Sequence, residues 1–263
     1  MTPENEVEQV VRPAEWSFKE QSQVALDGIL YWLGTILINA YARRMFKPDI
    51  VLHAPLPAGA KLLSINHPSA TDPFLAALLA PEHTTILIDA RMFKAPLLGA
   101  FLRHTGHVPV AAGEGSAVIE TAQSLLKAGR TVAIFPEGGI SPWEGGFRRP
   151  RTGAARLALS TGAPVIPIGV HLDRRHIRVY ESVIEGAPVT GTWYICGPYA
   201  ITVGKPLYFE GDVENRSYVR EVSECIMQRI IELSHESAQR MENGHTFVVP
   251  PILWRLAGLL GLA

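Results

Sequence analysis

The sequence predicts an α/β fold: a single layered domain with a largely parallel or mixed sheet, plus an N-terminal helical segment at a membrane interface. Three observations predict it. Short apolar runs recur at 50–53, 61–65, 85–89, 107–110, 131–135, 164–170 and 199–204, as buried strands do. Helical segments fall between them at about 73–80, 96–104, 115–128 and 152–161. That alternation is what a parallel sheet with covering helices requires. Val219, Val222, Ile226, Ile230 and Leu233 then recur at helical spacing, which predicts one long amphipathic helix over 215–240.

Taken in order, residues 1–21 are polar and acidic and read as a flexible N-terminus. They lack the basic stretch leading into an apolar one that marks a secretory leader. Residues 22–46 read as a helix that Pro48 closes. Its apolar part, Val24 to Tyr41, is broken by Asp27, Gly28 and Asn39, and is borderline for a span, which wants roughly 20 apolar residues. Arg43, Arg44 and Lys47 follow it. The body of the domain then occupies 47–245. Within it, 171–198 holds several β-prone pieces and turns whose order the sequence leaves open. Residues 246–263 form an apolar C-terminal segment interrupted by Pro250, Pro251 and Arg255. Trp32 and Trp254 sit among aliphatics, which suits two ends lying in a membrane interface. The plainer alternative is that both ends pack on the core. The expected location is that of a peripheral or monotopic membrane protein on the cytoplasmic face.

Composition excludes several classes. With 47% hydrophobic and 19% charged residues the chain is not disordered. A formal net charge of −1 speaks against nucleic acid as a partner. Cys196 and Cys225 are the only cysteines and lie far apart, so neither a disulfide framework nor a cysteine zinc site is expected. No H-E-x-x-H occurs. A metal-dependent hydrolase built on His67, Asp72 and Glu137 is therefore a poor fit, and no metal or organic cofactor is expected.

The segment Asn66-His67-Pro68-Ser69-Ala70-Thr71-Asp72 carries the chemistry. It sets an imidazole and a carboxylate five residues apart, just after an apolar strand, where α/β folds build sites. An aspartate can hold the ring in one tautomer so that its other nitrogen takes a proton from a hydroxyl. No G-x-S-x-G elbow accompanies the pair, so the hydroxyl belongs to a substrate. Asp72, before Pro73, also has the sequence of a helix cap, and the two roles are compatible. A second segment, Phe135-Pro136-Glu137-Gly138-Gly139-Ile140-Ser141, follows another buried strand. Arg148, Arg149 and Arg151 cluster just beyond it.

These two segments, with Gly106-His107-Val108-Pro109-Val110, Val165-Ile166-Pro167-Ile168-Gly169-Val170 and Val203-Gly204-Lys205-Pro206-Leu207, resemble the glycerolipid acyltransferase family over about Leu62 to Leu207. That family includes 1-acylglycerol-3-phosphate acyltransferase. The resemblance implies transfer of a fatty acyl group from a thioester, acyl-CoA or acyl-carrier protein, to a hydroxyl of a lysolipid. It implies His67 as general base, Asp72 as its orienting partner, and Glu137, Gly138, Gly139 and Ser141 as shapers of the acceptor site. The two glycines would let substrate approach the backbone closely.

The chain departs from the family at two places. The family's second motif ends in an arginine where Ala111-Ala112-Gly113 stand here, and its F-P-E-G continues to an arginine where Ile140 stands. Those arginines hold an acceptor phosphate in the family, and neither alanine nor isoleucine offers their bidentate fork. Either the acceptor lacks a phosphate monoester, or Arg148, Arg149 and Arg151 supply the charge. The rival of a different class is a non-catalytic lipid-binding protein of the same fold.

Overall fold

The structure, a computed structural model, describes residues 18–76, 78–80, 82–142, 144–184 and 187–243. The apolar C-terminal segment and most of the expected flexible N-terminus lie outside the described residues. The chain opens on α1 (Phe18–Met45), which begins before the expected residue 22, and continues through β1 (Asp49–Leu52), β2 (Lys61–Ile65), α2 (Asp72–Ala76), β3 (Thr84–Asp89), α3 (Leu98–His104) and β4 (Val108–Val110). It proceeds through α4 (Gly115–Lys127), β5 (Thr131–Ile134), α5 (Gly153–Thr161), β6 (Val165–Leu172), β7 (Ile177–Ile184), β8 (Ala187–Tyr194), β9 (Tyr199–Val203) and α6 (Arg216–Glu242).

Seven strands form one sheet in the order β1-β9-β6-β2-β5-β3-β4. The five strands from β6 to β4 are parallel, while β9 runs antiparallel to β6 and carries β1 parallel to itself at the edge. Every residue of β2, β5 and β9 is buried. That explains their continuous apolar runs: helices cover both faces of the sheet. Side chains alternate between faces. Leu63 and Ile65 join one core layer with Leu75 of α2 and with Ala42 and Phe46 at the end of α1. Leu62 joins the other, with α4, α5 and α6. Gly169 of β6 lies where a Cβ would fall 2.1 Å from the Ser234 backbone, so α6 packs directly onto the strand.

The region the sequence left unordered, 171–198, is a 3₁₀ turn at Arg174–His176 followed by the antiparallel hairpin of β7 and β8. The hairpin stands apart from the main sheet. It folds back onto the loop after β2: Ala70 N–H donates to Thr192 O at 2.7 Å, and Thr71 exchanges hydrogen bonds with the Tyr194 backbone.

α1 is the outlier of the fold. Ala25–Met45 is long and apolar enough to cross a membrane, and only 11% of its most apolar window is buried. Tyr31, at 4% exposure, and Ala42 anchor one side. Leu26, Ile29, Leu33, Ile36 and Leu37 are exposed along another. A helix apolar on its exposed face as well as its packed one is not built for water alone.

Candidate active site

β2 and β5 pair in parallel at a constant offset of 70 residues, Lys61 facing Thr131 and Ser64 facing Ile134. Carried past the strand ends, that register sets His67 beside Glu137. The His67 N–H donates to Glu137 Oε1 at 3.0 Å. Active sites of open α/β sheets gather at the carboxyl ends of parallel strands, and register alone brings His67 and Glu137 together at such ends here.

His67 Nδ1 lies 3.0 Å from Asp72 Oδ2. A carboxylate only accepts, so Nδ1 carries the proton and Nε2 keeps its lone pair. The ring stacks on Phe135 at 4.3 Å, which fixes its plane. Its side chain is 14% exposed, enough to reach a substrate, whereas that of Asp72 is 1% exposed.

Asp72 receives four donors: His67 Nδ1, Ser69 N–H at 2.7 Å, Ser69 Oγ at 3.3 Å and Tyr199 OH at 2.6 Å. These donors come from the loop and from β9, and none of them is a backbone N–H of α2. Tyr199, on β9, is the member of this set that sequence reasoning missed. Burial raises its hydroxyl well above the ordinary phenol value, and the Asp72 carboxylate raises it further. It therefore stays protonated and donates. The signal available in the sequence was a tyrosine on a buried strand, whose hydroxyl needs an acceptor.

The loop is held from every side. The Asn66 amide spans to β6, donating to Val170 O at 2.9 Å and accepting from Val170 N–H at 2.7 Å. Ser141 N–H donates to His67 O at 2.7 Å. The N–H groups of Ser69, Ala70 and Thr71 are all used within this scaffold, on Asp72, Thr192 and Ser69 Oγ.

Glu137, 3% exposed, is the knot between the two motif loops. Besides His67 N–H, it accepts Ser141 Oγ at 2.8 Å and Arg148 N–H at 2.8 Å. Glu137→Gln would turn an NH₂ toward a backbone donor and leave the donor unsatisfied. We expect a loss of about 1–3 kcal/mol in denaturant-unfolding stability, together with reduced turnover. Unchanged stability would show that this carboxylate does not tie the loops together.

The expected substrate-binding arginines go to different places. Arg148 Nε donates to Ile140 O at 2.6 Å. Arg151 packs on Gly138, where a Cβ would fall 2.2 Å from its Nε, so the room beside Gly138 holds this side chain rather than substrate. Gly138 has φ 65°, a further reason for glycine there. Gly139 is more open, its nearest neighbour being Arg148 Nε at 4.0 Å from the position of a Cβ. Arg149 turns out to the surface, 3.5 Å from Glu224 on α6.

Two clefts flank the His67 loop. On one side an apolar cleft of about 570 Å³, counted to its open mouth, is lined by Ala70 and Pro73. It runs along β3 beneath α1, between Ile86, Ile88, Ile38, Phe101 and Trp193. Tyr31 and His107 also line it. Burial pushes the His107 ring down to about 4, so it is neutral near pH 7. Its Nδ1 accepts the Ile86 N–H at 3.2 Å. The second cleft is smaller and lined by Pro68, Ser141, Pro142, Arg174, Ile177 and Thr192. Among the described residues no group of three or more His, Cys, Asp or Glu could hold a metal ion.

Residues 49–171 match the family model described as Acyltransferase. No curated protein sequence matches the chain. Among solved structures the chain is similar to the crystal structure of the 1-acyl-sn-glycerophosphate (LPA) acyltransferase, PlsC, from Thermotoga maritima. That match covers 83% of this chain and 84% of the other, with a TM-score of 0.50 and 21% identity. At this identity the likeness is one of fold.

Proposed function

We propose, from the premise that residues 49–171 make this chain a member of the acyltransferase family, that it moves a fatty acyl group from a thioester to a lysolipid hydroxyl. The donor is acyl-CoA or acyl-carrier protein, and the acceptor a lysolipid such as 1-acylglycerol-3-phosphate. One observation carries the reading: a partly exposed histidine is paired with a buried aspartate, on a loop whose Ala70 lines an apolar cleft.

His67 Nε2 removes the acceptor hydroxyl proton while Asp72 steadies the imidazolium through Nδ1. The alkoxide attacks the thioester carbonyl, and the tetrahedral adduct collapses to the ester. The departing thiolate takes the proton from His67, so the base is restored without an acyl-enzyme. The acyl chain lies in the apolar cleft, where a neutral His107 leaves no charge facing the hydrocarbon. Incubation of purified protein with labelled acyl-CoA or acyl-carrier protein and a panel of lysolipids tests the reading. Label should enter a diacyl product. Lipid binding without transfer from any thioester would favour the non-catalytic reading.

The exposed stripe of α1 supports association with a membrane. Burying each such side chain in an apolar medium contributes roughly 1.5–3 kcal/mol. Changing Ile29, Leu33, Ile36 and Leu37, all exposed, to glutamine leaves Tyr31 and Ala42 in place. We expect at least about tenfold weaker co-sedimentation with liposomes. Equal binding by wild type and variant would remove α1 as the anchor.

A further inference from the structure

The hairpin strand β8 is a shared wall between the two clefts. Its neighbouring residues point to opposite faces, as strand geometry demands. Trp193 lines the apolar cleft and Thr192 lines the small one. Between the clefts runs the His67 loop, with Ala70 and Pro73 on the apolar side and Pro68 on the other. A substrate joining a hydrocarbon to a polar head across a reacting oxygen has this same division.

The small cleft carries two groups that point to its ligand. Arg174, from the 3₁₀ turn after β6, reaches over Gly145 and donates to Pro142 O at 3.2 Å, which sets its guanidinium along the cleft wall. The Thr192 hydroxyl is buried with no hydrogen-bond partner among the described residues. A buried hydroxyl without a partner is costly, and one that lines a cleft can be completed by what enters it. A guanidinium beside a hydroxyl is a phosphate-ester recognition pair.

We propose that the cleft of Pro68, Ser141, Arg174 and Thr192 is the subsite for the phosphate ester of the acceptor's head group, with Arg174 and Thr192 as its donors. The assignment rests on the acyl-transfer reading for its direction. The cleft adjoins His67 on the side away from the acyl chain, so a phosphate held there leaves the adjacent hydroxyl near the base. It differs from both branches of the sequence expectation, an acceptor without a phosphate monoester or a phosphate held by Arg148, Arg149 and Arg151.

The test is calorimetric binding of 1-acylglycerol-3-phosphate and of monoacylglycerol to the full chain in detergent, for wild type, Arg174→Ala, Arg174→Lys and Thr192→Val. Loss of a hydrogen bond to a charged group predicts about 10–100-fold weaker binding of the phosphate lipid by Arg174→Ala. Monoacylglycerol binding should not move. Arg174→Lys should recover part of the loss, because a point charge lacks the fork. Thr192→Val, near-isosteric and safe for folding, should cost about 2–10-fold. In turnover, Arg174→Ala should raise the acceptor KM and leave the donor KM unchanged.

Equal binding of the phosphate lipid by wild type and Arg174→Ala overturns the subsite, as does a loss shared by monoacylglycerol. A shift in the donor KM instead would hand the cleft to the donor's phosphates and also overturn it. So would inorganic phosphate binding as tightly as the lysolipid. If the phosphate-dependent loss is seen but no thioester is ever consumed, the subsite stands and the acyl-transfer reading falls.

Discussion

His67→Ala is expected to reduce acyl transfer by about 10²–10⁴-fold, the usual cost of removing a general base, with little change in the unfolding transition. Both halves follow from geometry. The backbone bonds that place the loop, His67 N–H to Glu137 and Ser141 N–H to His67 O, use main-chain atoms and survive the substitution. What disappears is the ring, and with it the basic nitrogen. The ring also stacks on Phe135, so a small stability loss is expected. Turnover in labelled acyl-thioester assays, with denaturant unfolding measured on the same samples, checks both. A folded His67→Ala protein with wild-type turnover would sink the mechanism.

Asp72→Asn should cost turnover on a similar scale, on the order of 10³–10⁴-fold, by a different route. A carboxylate oxygen accepts from Nδ1 and so keeps the lone pair on Nε2. An amide that turns its NH₂ to the ring selects the opposite tautomer and puts the proton where the substrate's proton must go. Unlike His67→Ala, this change should also destabilise, because the carboxylate is buried among four donors. An NH₂ facing either Tyr199 or Ser69 N–H leaves a buried donor unmatched, at about 1–3 kcal/mol. Tyr199→Phe separates the two effects. It removes one donor, leaves the tautomer intact, and should keep most of the turnover. If Tyr199→Phe were as inactive as Asp72→Asn, the tautomer argument would be wrong.

Much of the architecture was legible. The strands of the main sheet fall on apolar runs bounded by turn residues, because a strand covered on both faces has no polar alternation to hide it. α6 was legible from its helical period, since one face packs against β6 and β9 and the other meets water. The hairpin of β7 and β8 was not. It lies outside the main sheet and mixes exposed Val179 and Val183 with charges, so no period marks it. The same holds for Arg174, an ordinary surface arginine until the turn after β6 carries it to Pro142.

Sequence by itself determined the α/β alternation, the apolar α1 and the His67–Asp72 pair. Each depends on spacing within a few residues, where strand period, helix period and turn chemistry act directly. Tertiary structure alone decided that Glu137 ties the two motif loops together, that Tyr199 backs Asp72 and that Thr192 and Trp193 open onto separate clefts. Those relations depend on strand register and on hydrogen bonds through space. A register offset of 70 residues, or one between residues 127 apart, leaves no local period in the chain; it exists only once the sheet has formed.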